Sequence, residues 1–221
     1  MAGYSNDTWD CSPVTCTVNA YTLGYDAFAV KLDSSGNISW ITFLGSNGAD
    51  FGRGIAVDGN GNIYVVGASD GTWGTPIQSH AGGDYDGFAA KLNSSGALTW
   101  NTFQGSGGHD QTWGIAVDGL DNVWVANFTK GGVSHFCGAR DGSCPAGVNT
   151  GDALSPDVTG YHSDLLDRNT AVEVDSSGNV WLTNNWKDVP IQPDPVGDAM
   201  VVYVGLAAPV KAPRIGPPEQ P

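Results

Sequence analysis

Gly54-Ile55-Ala56-Val57-Asp58 returns sixty residues later as Gly114-Ile115-Ala116-Val117-Asp118. The register holds on both sides of this pentapeptide. Upstream, Asp26-Ala27-Phe28-Ala29-Val30-Lys31-Leu32 matches Asp86-Gly87-Phe88-Ala89-Ala90-Lys91-Leu92 at the same offset. Ser34-Ser35-Gly36 matches Ser94-Ser95-Gly96, Trp40 matches Trp100, Thr42-Phe43 matches Thr102-Phe103, and Gly45 matches Gly105. Ungapped self-similarity of this length marks a repeat architecture.

Each unit divides into four short strands: a, Ile55–Val57; b, Ile63–Val66; c, Phe88–Leu92; d, Leu98–Phe103. They are β-branched or aromatic and partly alternating, which suits half-buried strands. The connections Asp58-Gly59-Asn60-Gly61-Asn62 and Asn93-Ser94-Ser95-Gly96 supply residues that accept positive φ or bond to their own backbone. Four antiparallel strands repeating at this interval predict an all-β chain of β-propeller blades. A solenoid repeats at shorter intervals, and a sandwich has no reason to repeat in sequence. A worn third copy follows: Ala171-Val172-Glu173-Val174-Asp175, Gly178-Asn179 and Val180-Trp181-Leu182 answer to Ala116-Val117-Asp118, Asn122 and Val123-Trp124-Val125.

The resulting division is a partial blade over 1–53, a blade over 54–113, and a blade over 114–169 carrying an irregular insertion at 137–168. A degenerate blade over 170–207 and a Pro-rich tail over 208–221 complete it. Met1-Ala2-Gly3-Tyr4 through Trp9 align with Val65-Val66-Gly67-Ala68 through Trp73, which puts residue 1 inside a strand b. The strand a before it is missing, and the natural reading frame is expected to continue upstream with further blades. From Trp9 to Asp26 the chain takes 17 residues where the next copy takes 13, and this insertion carries Cys11 and Cys16. With three to four blades, the chain is expected to form an open, incomplete arc or to self-associate. The last strand, 199–204, is a candidate to fasten a small ring by pairing with an end strand.

The strings at 26–40 and 54–65 resemble the SBBP family of bacterial β-propeller repeats, over about residues 1–130. The third copy, with Gly178-Asn179-Val180-Trp181 and Asn184-Asn185-Trp186, is similar to NHL and virginiamycin B lyase-like propellers. The resemblance implies an exported or surface-attached protein. Virginiamycin B lyase-like enzymes carry acid–base and metal-binding groups at the propeller centre, but no residue here matches such a site, so the resemblance assigns no catalytic residue.

Composition agrees. The chain holds 32 Gly, eight Trp, seven Tyr and seven Phe, and only 14% charged residues. A net charge of −14 repels nucleic acid and anionic lipid, both of which are first attracted by basic side chains. No apolar run is long enough for a membrane span, and Met1-Ala2-Gly3-Tyr4 is no signal peptide. The cysteines form two local pairs, Cys11 with Cys16 and Cys137 with Cys144. Two disulfides are the preferred reading over a four-thiolate zinc site, because the spacings are wide and the pairs lie in unrelated loops. Disulfides suit a secreted or cell-surface protein.

Strand direction puts the b–c and d–a loops, which are long, on one face. That face is expected to gather Trp9, Trp73, His80, Asp50, Arg53, His109, Asp110, Trp113 and, from the insertion, Arg140, Asp141 and His162. Of these, Trp9, Trp73, His80, Arg53, His109, Asp110 and Trp113 are the candidate ligand contacts. Trp9 and Trp73 are repeat-equivalent and have a competing reading as wedges between blades. Asp58-x-Asn60-x-Asn62 resembles the start of a calcium loop but lacks its Gly and its bidentate Glu, so it reads as a hairpin turn. There is no HExxH helix, GxSxG elbow, P-loop or dinucleotide fingerprint. No cofactor, metal site or catalytic residue is expected. The leading function is a non-enzymatic exported scaffold or binding module for protein or carbohydrate; the alternative is a lyase or hydrolase with its site near the axis.

Overall fold

The computed structural model describes residues 1–9, 16–129, 131–138, 144–156, 160–163, 165–184 and 200–210. These form four sheets and no helix. The first sheet holds β1 (Ala2–Ser5), β2 (Thr17–Asn19), β3 (Asp26–Leu32) and β4 (Ile38–Leu44), in the order β1-β3-β4-β2. The second holds β5 (Asp50–Val57), β6 (Ile63–Ser69), β7 (Asp86–Leu92) and β8 (Leu98–Gln104) in plain sequence order. The third holds β9 (Thr112–Val117), β10 (Val123–Asn127), β11 (Gly132–Phe136) and β12 (Tyr161–His162). The fourth holds β13 (Asn169–Val174), β14 (Val180–Asn184) and β15 (Met200–Tyr203). Neighbouring strands are antiparallel throughout, except that β2 runs parallel to β4.

One turn recurs five times and explains why these strands pair in register. Asp33, Asp58, Asn93, Asp118 and Asp175 each take the amide-to-carbonyl closure with the residue four places on. The side chain of each also accepts backbone N–H groups two and four residues on. The fourth residue of each turn has positive φ: Gly36, Gly61, Gly96, Gly178 and, at φ 66°, Asp121. Asp121 alone among the described non-glycine residues adopts this conformation, which Asp tolerates better than most side chains. Asp58 spends both carboxylate oxygens on this turn, with Asn62 Nδ2 and Tyr64 Oη as further donors, so its hydrogen bonds are those of a hairpin.

The sheets pack in chain order, first on second, second on third, third on fourth. The strands nearest the axis are β1, β5, β9 and β13. Successive strands a approach closely because a glycine sits between them. A Cβ on Gly54 would lie 2.7 Å from the Trp113 carbonyl oxygen, and one on Gly114 would lie 2.7 Å from Ala171 Cα. Each interface has its own apolar core. Ala29, Leu44 and Trp40 meet Val65, Phe88 and Phe103. Tyr64, Val66 and Trp100 meet Val117, Val125 and Phe136. Trp124 and Ala126 meet Val172, Val174 and Leu182.

The β15 strand pairs with β14 as a third strand of its own sheet, so it does not fasten the first sheet. No ladder joins the first and fourth sheets among the described residues. Instead, the segment after β15 crosses the short turns: Ala207 N donates to Gly178 O, Gly119 N to Ala208 O, and Val210 N to Asp175 O.

The repeat-equivalent tryptophans Trp40 and Trp100 are both 8% exposed, as their equivalence requires. The aliphatic pairs differ from expectation. Val117 is 7% exposed, whereas Val57 is 46% and Ile55 36% exposed. The cause is the neighbouring sheet. Ile115 and Val117 face back onto the second sheet, and Val172 and Val174 onto the third. Behind β5 the first sheet begins at β1, a strand b, so no strand a covers Ile55 and Val57.

Candidate functional site

The long-loop face collects aromatic and cationic side chains from all four sheets. Phe51 and Arg53 stand on β5, Trp113 on β9, Phe128 just after β10, and Arg168 just before β13. Arg53 Cζ lies 5.5 Å from the Phe51 ring centroid and 4.8 Å from that of Trp113. Trp113 stacks on Phe128 at 4.5 Å and 17°, and Arg168 Cζ lies 5.4 Å over Phe128. The stacked Trp113–Phe128 pair is therefore capped by a guanidinium at each end, an arrangement in which each guanidinium meets a negative π-face. Tyr4, Tyr25 and Tyr85 extend it from Phe51, at centroid distances of 4.8, 5.9 and 5.9 Å. Arg53, Tyr4 and Tyr25 are exposed; Phe51, Tyr85, Trp113, Phe128 and Arg168 are half-buried.

A chain of polar bonds fixes the central ring. Trp113 Nε1 donates to Gln111 Oε1 at 2.9 Å, and Gln111 Nε2 meets His109 Nε2 at 2.6 Å. His109 Nδ1 meets Asp84 Oδ2 at 2.7 Å. With its Nδ1 proton on Asp84, His109 accepts from Gln111, and every donor points the same way. Both imidazole nitrogens are engaged, so this pair orients Trp113 and offers no open ring nitrogen as a base.

Arg53, His109 and Trp113 thus come together, and the other candidates lie apart. Trp73 is 7% exposed and packs edge-on against Phe88 and Phe103 between the first two sheets. Its counterpart Trp9 lies 4.6 Å from Phe28 on the outer face of the first sheet. His80 Nδ1 accepts from Gly82 N while Nε2 meets Ser69 O, closing the b–c loop. Asp110 accepts from Ser106 N and Oγ, just as its repeat partner Asp50 accepts from Ser46. Burial pushes the Asp50 carboxyl up to about 6. His162 is exposed on β12. Arg140 and Asp141 lie outside the described residues. Phe51, Tyr85, Gln111, Phe128 and Arg168 were missed; Phe51 and Gln111 stand two residues before Arg53 and Trp113, a spacing that puts side chains on the same side of a strand.

Cys137 and Cys144 form a disulfide, with Cα atoms 5.6 Å apart. Cys16 is disulfide-bonded too, while Cys11 of the expected Cys11–Cys16 pair lies outside the described residues. Among the described residues no group of His, Cys, Asp and Glu is placed to hold a metal ion, and no helix is long and apolar enough to cross a membrane.

Four-stranded antiparallel units, repeating in sequence and packed around common inner strands, define a β-propeller repeat protein. Comparison with known proteins agrees. Residues 39–72, from β4 through β6, match the SBBP family, described as Beta-propeller repeat. The chain is also similar to an uncharacterized WD repeat-containing protein of Acanthamoeba polyphaga mimivirus, 28% identical over 123 residues. That match covers 51% of this chain and 9% of the viral protein, so the chain spans under a tenth of that relative.

Proposed function

We propose that this propeller is an exported, non-enzymatic binding module that captures a protein partner on its long-loop face. The observation that carries this reading is the row of Arg53, Trp113, Phe128 and Arg168, two stacked rings between two guanidinium groups. Arg and Trp are the side chains that anchor interfaces, and here they are pre-oriented by stacking and by the Gln111 bond. Two guanidinium groups on a chain of net charge −14 form a local positive site. It suits a partner segment with carboxylate and aromatic side chains. The Cys137–Cys144 disulfide supports an oxidising compartment. The similarity of the third repeat to NHL and virginiamycin B lyase-like propellers concerns the scaffold in this reading.

The test is panning of a phage-displayed random peptide library on the intact chain. Acidic, aromatic peptides should be enriched, and their binding should fall about tenfold or more in Arg53→Ser and Arg168→Ser. Enriched peptides that bind both variants as tightly as the parent would refute the assignment of this face.

A further inference from the structure

Two Asn-Gly pairs stand in the sequence, Asn47-Gly48 and Asn60-Gly61. Such a pair is prone to lose the asparagine side-chain amide, because glycine has no Cβ to keep its main-chain nitrogen away from that side chain. Both asparagines are exposed, so access to water does not separate them. Their hydrogen bonds do.

Asn60-Gly61 is held in the hairpin turn between β5 and β6. Gly61 N donates to Asp58 O at 3.1 Å, and a peptide carbonyl is too weak a base to take the proton. Asn60 Nδ2 donates to Asp121 Oδ2 at 3.2 Å, which fixes the side chain. Asn47-Gly48 lies in the loop between β4 and β5. Gly48 N donates to Ser46 Oγ, and Ser46 Oγ donates to Asp50 Oδ2, each at 3.3 Å. A proton therefore has a path from the glycine nitrogen through a hydroxyl to a carboxylate. Asp50 is fully buried. That burial pushes its carboxyl up to about 6, which makes it a stronger base than an exposed carboxylate and still leaves it ionised at neutral pH. The loop does not need asparagine for its shape. Its counterpart reads Ser106-Gly107-Gly108-His109-Asp110, and Ser106 caps Asp110 as Ser46 caps Asp50.

From this we infer that Asn47-Gly48 is a self-modifying site, converted to aspartyl and isoaspartyl forms with Ser46 and Asp50 as its proton relay. Gly48 N bonds to Asn47 Cγ and gives its proton to Ser46 Oγ, while Ser46 passes its own proton to Asp50. The Asn47 Cγ–Nδ2 bond then breaks, and ammonia leaves with the proton returned from Asp50. Water opens the resulting cyclic imide at either carbonyl. Opening at the main-chain carbonyl leaves the chain running through the former side chain, longer by a methylene and carrying a new carboxylate. The product lies at the edge of the aromatic row, because Gly48 O accepts from Tyr25 N at 2.9 Å and Asp50 N donates to Tyr25 O. The inference is independent of the protein-binding reading and stands if that reading fails.

Peptide mapping by mass spectrometry tests it, on the full chain aged at neutral pH both folded and unfolded in urea. In urea the two pairs should convert at similar rates. In the folded chain Asn47 should convert about tenfold or more faster than Asn60. Ser46→Ala, which breaks the relay, should slow Asn47 about tenfold or more. A loop merely loosened by that substitution would convert faster, so a slower rate reads the hydroxyl itself. Ser46→Thr should keep the parent rate, since Thr22 caps Asp26 through its N and Oγ1 in the loop before β3. The inference is overturned if Asn60 converts as fast as Asn47 in the folded chain. It is equally overturned if Ser46→Ala leaves the Asn47 rate unchanged or raises it, or if Ser46→Thr is as slow as Ser46→Ala.

Discussion

The outer faces of the first and fourth sheets have no neighbouring sheet among the described residues, and they are finished differently. On the first, the outward residues Phe28, Val30, Ile41 and Phe43 are all buried, although no sheet precedes them. The chain's own b–c segment covers them: Trp9, Cys16 and Tyr21 pack on that face, Tyr21 at 5.8 Å from Phe43, and Asn19 Nδ2 bonds to Phe43 O. On the last sheet, Trp181 occupies the position of Tyr64 and Trp124, whose exposure is zero beneath their following sheets. Trp181 is 38% exposed and Met200, on the neighbouring strand, 62%. Glu173 stands where Ala56 and Ala116 face their following sheets. One end is thus plugged by an insertion, and the other is left with a solvated charge among apolar groups. Where a sheet face has no neighbouring sheet among the described residues, a covering loop and a polar substitution are thus alternative means of finishing it.

The largest test of this contrast is truncation of the rings. Phe43→Ala under the plug and Trp124→Ala between sheets should each cost about 3–5 kcal/mol. Trp181→Ala at the same repeat position as Trp124 should cost about 1 kcal/mol, chiefly its partial packing and its bond to Asp175. Urea unfolding measures all three. Equal losses for Trp124 and Trp181 would mean that the last sheet is covered in solution by another copy.

Acid and base should separate the two halves of the arc next. Burial pushes Asp50, on the second sheet, up to about 6, above its unfolded value of about 3.9. Its contribution is therefore full below about pH 4 and is lost as pH rises through 6. Burial lowers His135, stacked 3.8 Å from Trp124, to about 4, below its unfolded value. Its contribution is full above about pH 6.5 and is lost as pH falls through 4. Each change is worth about 2–3 kcal/mol. Urea midpoints compared from about pH 4 to pH 7 should show Asp50→Asn losing the alkaline-side decline and His135→Phe losing the acid-side decline. Parallel profiles in parent and variants would contradict both assignments.

The smallest effect concerns the open end alone. Glu173→Ala restores the residue of the two inner copies. Stability should change by less than about 0.5 kcal/mol, but the sedimentation coefficient should rise with protein concentration because the apolar face is now uninterrupted.

Much of this architecture was legible because the repeat carries it. The turn residues Asp58, Asp118 and Asp175 mark the hairpins, and the sixty-residue offset alone aligns Trp40 with Trp100. What the offset could not show is which equivalent positions lack a neighbour. Val57 and Val117 are identical in sequence and differ in exposure because burial belongs to the adjacent sheet. The site was legible only where one strand carried it. Arg53 on β5 and Trp113 on β9 stand at equivalent places of the repeat, sixty residues apart, but Phe128 and Arg168 join them through packing between sheets, which no local pattern encodes.

The segment from Ala207 to Val210, lying across the short turns, sets how the chain answers tension. Its bonds to Gly178, Gly119 and Asp175 are all main-chain, and they tie the third sheet to the fourth along the rim of the core, where Ala207 and Val210 pack. A pull on the polypeptide beyond Val210 would therefore load these bonds one after another before it reached β15. The strap would peel like a seam, sparing the interface beneath until the last stitch at Ala207 gave way.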